Sequence, residues 1–442
     1  MARPKSIPIR QHLRKLFPPK TLNALARQSG AVKRARKVDP VKLFWSVVLG
    51  FGSGRTRTLA GLRREYERAA GQRIEESSFF NRFNAGFAKM LRLAFAHALS
   101  VAAGTERALQ GALAAFEDVL VADSTVVRLH ELLGRSFPAC RTNHTKAALK
   151  LHTIISVKTA GCRSVKITSE RQHDGPVLRA GTWVRDRLLI FDLGYYRYQL
   201  FACIERNGGF FLSRMKSHCN PVIVANNRTH RGRARPVVGE RLQDVISGLQ
   251  RGFLDVIVEV SFPRRRYAGK VHRDRQRLRV VGVRDEQSRQ HHLYVTNVPV
   301  EKLAAEDIRR TYAARWQVEL LFKEWKQHYR LEQLPSSRRD VVEALIFATL
   351  LSAAVSKSLL AAVRAKLRAF AERLPDQRWA VLFASVARDL LFIALQPRRQ
   401  TALVTRRVVD LLTHEAIDPN ASRPPLILAI ETRQHRYARR TA

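Results

Sequence analysis

The chain has 442 residues, with 79 Lys or Arg against 37 Asp or Glu and a formal net charge of +42. That length predicts more than one domain and a sizeable apolar interior. The charge predicts a polyanion as partner. A membrane is not expected: no basic amphipathic helix with large exposed apolar residues stands out, the opening MARPKSIPIR has no apolar secretion core, and the most apolar stretch, 344–356, is too short to cross a bilayer.

The positive charge is spread along the chain. Residues 1–60 hold fourteen Lys or Arg against the single acid Asp39, and residues 264–279 hold eight against Asp274. Several contact surfaces on a long polymer follow from that spread. Four cysteines stand far apart with no C-x-x-C pair and are read as reduced thiols. Cys140 and His144 form one C-x3-H pair without the second pair that structural zinc requires.

Residues 1–105 read as helical, and TLAGLRREYERAAGQRIEESSFFNRF gives a helix, a turn at Gly71 and a second helix opening near Ser77. This pattern suits a helix-turn-helix DNA-binding domain, and equally any small helical domain. From residue 116 the pattern becomes extended. DVLVADST is an apolar run ending at Asp123, ALKLHTIISVKT and RSVKITSERQHD form a hairpin about Ala160 and Gly161, and RDRLLIFDLGYY carries a second apolar run ending at Asp192. Two buried strands therefore each end on a carboxylate. Residues 211–300 read as a β-rich insertion with Arg-rich turns. A helix over 311–326 follows, then helices over 341–395 and a basic tail.

The stretch TYAARWQVELLFKEWK, 311–326, is read as one amphipathic helix. At about 100° per residue, Tyr312, Arg315, Glu319 and Lys326 share an arc of about 60°. Val318, Leu321, Phe322 and Trp325 form an apolar flank that fixes the helix against a core. Solvated i,i+4 ion pairs would account for part of this stripe. The alternative joins Glu319 to the two strand-end aspartates: hard divalent cations prefer oxygen ligands, and two such ions serve phosphodiester chemistry. Arg315 and Lys326 would then hold the DNA backbone beside the metals.

The spacing Y-x2-R-x3-E-x6-K at Tyr312, Arg315, Glu319 and Lys326 resembles the signature of the DDE transposases encoded by bacterial insertion sequences of the hairpin-forming group. ADST and FDLGYY look like that family's two aspartate motifs, in the right order, with a long β-rich gap before the Glu. The resemblance covers roughly residues 116–335. It implies an α/β fold: a ribonuclease-H-like catalytic core with a β-rich insertion, flanked by helical regions. It also implies metal ligation by Asp123, Asp192 and Glu319, and DNA contacts from Tyr312, Arg315 and Lys326. The implied cofactor is Mg²⁺ or Mn²⁺, two ions per site. The implied partners are the double-stranded DNA of the element's terminal inverted repeats, target DNA and a second copy of the chain. A bacterial cytoplasmic location on the nucleoid follows. A stacking ring for an extruded base is implied as well, with Tyr294, Tyr267, Phe262 and His291 as candidates.

The expected organisation is a helical DNA-binding domain over 1–105, catalytic segments over 106–210 and 301–335, an insertion over 211–300, a helical region for pairing over 336–397, and a basic tail over 398–442. Asp118, Asp174 and Asp186 are rival acids, while Glu324 and Glu332 fall off the stripe as solvated residues do. His144, His152 and His173 read as polar strand or loop residues, and Arg264 to Arg266 as phosphate contacts. A DNA-binding regulator without catalysis, or a metal-dependent nuclease that does not join strands, remains the alternative.

Overall fold

The computed structural model describes residues 7–32, 38–102, 107–140, 145–227, 229–230, 233–234, 236–249, 252–263, 272–285, 290–420 and 426–432. The N-terminal part is helical: α1 (Ile9–Leu16), α2 (Pro19–Gln28), α3 (Pro40–Ser46), α4 (Leu59–Ala70), α5 (Glu76–Phe80) and α6 (Ala85–Ala102). Local chemistry sets several of these ends. Asp39 caps α3 by accepting from the N–H groups of Val41 and Lys42, ahead of Pro40. Gly71, at φ 71°, closes α4 in the left-handed conformation that glycine adopts without strain. The helix expected to open near Ser77 is the five-residue α5, and α6 begins anew where Asn84 accepts from the N–H of Phe87 at 3.2 Å.

Among the described residues, nine strands form one sheet in the order β3-β2-β1-β4-β5-β11-β10-β9-β6. Their spans are β1 (Val119–Arg128), β2 (Ala148–Ser156), β3 (Gly161–Ser169), β4 (Leu188–Phe191), β5 (Phe210–Arg214), β6 (Val222–Asn226), β9 (Phe253–Pro263), β10 (Arg273–Arg284) and β11 (His291–Thr296). A two-residue pair, β7 (Thr229–His230) and β8 (Arg233–Ala234), stands apart. Strands β1, β2 and β3 are antiparallel, whereas β4 runs parallel to β1 and β5 parallel to β4. Strand β11 then pairs antiparallel with β5, so the strands of the 211–300 region extend the same sheet. Arg264 to Arg266 and Tyr267 lie outside the described residues, as does His144.

Alternation along the strands gives the sheet two apolar faces. Val119, Val121, Leu188, Ile190 and Val281 join the core shared with α10 (Ala305–Tyr312), α11 (Trp316–Gln327) and α12 (Arg339–Lys366). Leu120, Ala122, Leu189, Phe191 and Phe211 pack on the other side against α8 (Tyr198–Arg206) and α9 (Leu242–Ser247). Phe201 of α8 lies parallel to Phe211 at 4.2 Å between ring centroids. Burying each such side chain contributes about 1.5–3 kcal/mol.

By length and composition α12 would pass for a membrane span. Its apolar positions are instead buried in the protein, where Phe347 packs on Phe95 of α6. A Cβ on Gly52 would run into the backbone of Ala348, so glycine is what lets the turn after α3 approach α12 this closely. The N-terminal helices and α12–α13 (Asp376–Leu395) thereby share one core, flanked by α14 (Arg398–His414) and α15 (Leu426–Glu431).

Candidate active site

Asp123 sits within β1, not at its end. The strand runs on to Arg128 because its pairing with β2 continues through Arg128 and Ala148. Asp192 follows the last residue of β4. Ala122 pairs with Phe191 in the parallel register, so the two aspartates follow neighbouring positions on strands about 4.8 Å apart. A short 3₁₀ turn, Leu193–Tyr195, carries the chain away from Asp192.

The expected single helix over 311–326 is broken. α10 ends at Tyr312, Ala313–Arg315 form a 3₁₀ turn, and α11 starts at Trp316. The 3₁₀ turn advances 120° per residue where an α-helix advances 100°, so the stripe is re-phased between Tyr312 and Glu319. Glu319 and Lys326 still share α11, whose Val318, Phe322 and Trp325 are buried as the pattern predicted.

Arg315 ties the acids together. Its Nη1 lies 2.5 Å from Glu319 Oε1 and 3.5 Å from Asp123 Oδ2. Those two legs put the carboxylate oxygens no more than about 6 Å apart. The Ser124 N–H donates to Asp123 Oδ1 at 2.7 Å. Burial still pushes the Asp123 carboxyl up to about 6, with the negative charges of Asp192 and Glu319 adding to the rise, while the Ser124 N–H and Arg315 oppose it. Burial opposes the charged form of Arg315, but the neighbouring Glu319 and Asp192 carboxylates favour it, and its pKa is raised on balance.

Tyr312 is buried, with its ring 5.3 Å from that of Tyr294 and 5.9 Å from the Arg315 guanidinium carbon. Its hydroxyl has no hydrogen-bond partner among the described residues. Burial raises its pKa, so the phenol stays protonated. Lys326 donates to the Val126 carbonyl at 3.0 Å, which pins α11 to β1, and pairs with Glu332 at 2.8 Å.

Among the described residues, no three His, Cys, Asp or Glu side chains are placed as a ready-made metal site. The donor chemistry nevertheless fits a hard divalent cation: carboxylate oxygens from two neighbouring strands and a packed helix, with a cationic group already lying between two of them. Burial first, and the nearby Asp192 and Glu319 second, disfavour the charged form of Asp123, a cost that a bound cation would offset.

The rival acids separate. Asp118 is buried and accepts from Ser156 Oγ at 2.7 Å and the Lys158 N–H at 3.1 Å, a fixed turn anchor. Asp186 occupies a turn at φ 57°. Asp174 accepts from Ser124 Oγ at 2.9 Å, directly behind Asp123. Glu324 is not solvated as expected: it is buried and paired with Lys357 of α12 at 2.9 Å, because its position on α11 faces the helical core. Of the expected stacking rings, Tyr294 and Phe262 are buried in the sheet. Trp316, absent from the sequence expectation, is 42% exposed one residue from Arg315. Its place at the start of α11 was legible only once the helix break was known.

The family described as the transposase DDE domain matches residues 114–355, more than half of the chain. The transposase for insertion sequence element IS231C of Bacillus thuringiensis subsp. berliner is 22% identical, over 96% of this chain and 91% of its own length. The transposase for insertion sequence element IS1151 of Clostridium perfringens is 19% identical, over 77% of each chain. A shorter match, 35% identical over 80 residues, joins 18% of this chain to 22% of the putative transposase InsL for insertion sequence element IS186A of Escherichia coli K12. The match runs from before β1 through α11 and into α12, and the chain belongs to the transposase DDE domain family.

Proposed function

We propose that this protein is an insertion-sequence transposase that excises its element and joins it to target DNA, using Asp123, Asp192 and Glu319 as ligands for divalent cations. The observation that carries this reading is the convergence of Asp123 and Glu319, 196 positions apart, on the Arg315 guanidinium. The order β3-β2-β1-β4-β5, three antiparallel strands followed by a parallel pair, supports a ribonuclease-H-like core.

When bound, Mg²⁺ or Mn²⁺, two ions in this reading, would neutralise the phosphodiester and favour the attacking oxygen in its ionised form. The protein supplies the rest. The three carboxylates, from β1, the residue after β4 and α11, would hold those ions. Arg315 is held between Asp123 and Glu319 before DNA arrives, and an incoming phosphate offers its guanidinium a bidentate partner that frees both acids. In this reading Lys326, half-buried against β1, and Tyr312, whose buried hydroxyl has no partner among the described residues, would hold the backbone beside the scissile bond. The four spaced residues Tyr312, Arg315, Glu319 and Lys326 support the hairpin-forming subgroup, in which the freed 3′ hydroxyl attacks the opposite strand. Exposed Trp316 offers a stacking ring for the distorted strand.

In this reading residues 1–105 contribute binding to the terminal repeats, and the helices of 336–397 contribute the contact with a second copy. The net charge of +42 makes DNA binding strongly salt-dependent. The test is incubation of the full chain with duplex carrying the element's end, a target plasmid and Mg²⁺. Hairpin formation followed by joining to the plasmid is expected. Cleavage without joining would make it a nuclease, and binding without cleavage a regulator.

A further inference from the structure

A fourth carboxylate touches the segments bearing both aspartates, from the opposite face of the sheet. Asp174 opens the four-residue helix α7 (Asp174–Val177) in the β3–β4 connection. Its Oδ1 accepts from Ser124 Oγ at 2.9 Å and lies 3.2 Å from Lys150 Nζ and 3.3 Å from His152 Nδ1. Its Oδ2 lies 3.0 Å from the point that a Cβ on Gly194 would occupy, which puts the carboxylate close against the turn after Asp192. Burial pushes His152 down to about 4, which leaves Lys150 as the cation facing Asp174 at neutral pH.

The strand alternation explains the arrangement. Asp123 points toward α11, and its neighbour Ser124 points to the other face, where His152 pairs opposite it on β2. Ser124 therefore works in both directions: its hydroxyl donates to Asp174 and its backbone N–H donates to Asp123 Oδ1 at 2.7 Å. Asp192 lies just past Phe191, the last residue of β4, at the start of the 3₁₀ turn that Asp174 lies against. Asp174 is where β1, β2 and the turn behind Asp192 meet.

We propose that Asp174 is a positioning residue: it fixes the separation of Asp123 and Asp192 from behind the sheet, so that both carboxylates meet divalent ions without rearrangement. It touches neither substrate nor metal. The proposal rests on the reading of Asp123 and Asp192 as metal ligands, and it extends that reading to the hydrogen-bonded supports that hold ligands in place. Such supports typically change metal affinity by roughly ten- to a hundredfold when removed.

The experiment measures Mn²⁺ alone against the full chain without DNA, following the rise in unfolding temperature as Mn²⁺ is titrated. Wild type is compared with Asp174→Ala, Asp174→Asn, Ser124→Ala, the Asp174→Ala/Ser124→Ala double variant and Asp123→Ala. Asp174→Ala should need about tenfold more Mn²⁺ for half its stabilisation, while binding end DNA in metal-free buffer as wild type does. Asp174→Asn, which still accepts from Ser124, should recover most of the loss. The double variant should be no worse than Asp174→Ala, because both act through one hydrogen bond, whereas independent structural damage would add. Wild-type Mn²⁺ affinity in Asp174→Ala, or additive losses in the double variant, overturns the proposal. Should Asp174→Ala fail to fold, Ser124→Ala and Asp174→Asn decide the same question. Loss of the Mn²⁺ response in Asp123→Ala with none in Asp174→Ala leaves the ligand reading standing and removes Asp174 alone. Absence of any response in wild type removes both.

Discussion

Replacing Asp123 by Asn should stabilise the metal-free protein at neutral pH. Burial and the neighbouring acids lift the Asp123 carboxyl from 3.8 to about 6 in the folded chain, so the charged form is the unfavourable one there. A shift of about two units corresponds to about 3 kcal/mol, or about 2–3 kcal/mol after allowing for screening at a side chain that is 20% exposed. The sign follows from linkage. Because the folded pKa lies above the unfolded one, the penalty is absent below about pH 4, grows as the pH rises toward 6 and is complete above it. The Asn side chain carries no charge at any pH and escapes the penalty. Thermal melts of wild type and Asp123→Asn in chelator at pH 5 and pH 8 should therefore show the variant ahead at pH 8, with the gap narrowing at pH 5. Saturating Mg²⁺ should reverse the order, since wild type gains a ligand-bound cation that the variant holds poorly. An equal gap at both pH values, or no gap at pH 8, would refute the assignment of trapped negative charge to this site.

Lys357→Met should cost about 3 kcal/mol in chemical denaturation, because it leaves the buried Glu324 without its cation, and Glu324→Gln in the same background should restore most of it. Lys326→Gln should weaken end-DNA binding for every sequence alike and lower the slope of log affinity against log salt by about 0.9, the signature of one lost phosphate contact. An unchanged slope would confine Lys326 to its contacts with Val126 and Glu332.

The aspartate segments were legible because a run of buried apolar residues has few ways to end. LLIF is a fully buried strand that stops at Asp192, as its pattern indicates. The end of β1 was not legible: Ser124 to Arg128 alternates less cleanly, and only its ladder with β2 shows that the strand continues past Asp123. The offsets at Tyr312, Arg315, Glu319 and Lys326 were visible, but the 3₁₀ turn that re-phases them depends on how α10 and α11 each pack on the sheet. Glu324 read as solvated because single-helix periodicity carries no information about Lys357, thirty-three positions later on another helix. Asp174 read only as a rival acid for a related reason: its neighbours Ser124, Lys150 and Gly194 come from three separate segments that only the folded sheet assembles.

The most direct measurement is diffraction from crystals of the full chain with end DNA and Mn²⁺, with the ions located by their anomalous scattering. The account predicts Mn²⁺ within coordination distance of Asp123, Asp192 and Glu319, and Arg315 moved from Glu319 onto a DNA phosphate. Manganese bound elsewhere, with Arg315 still spanning Asp123 and Glu319 in the presence of DNA, would contradict it.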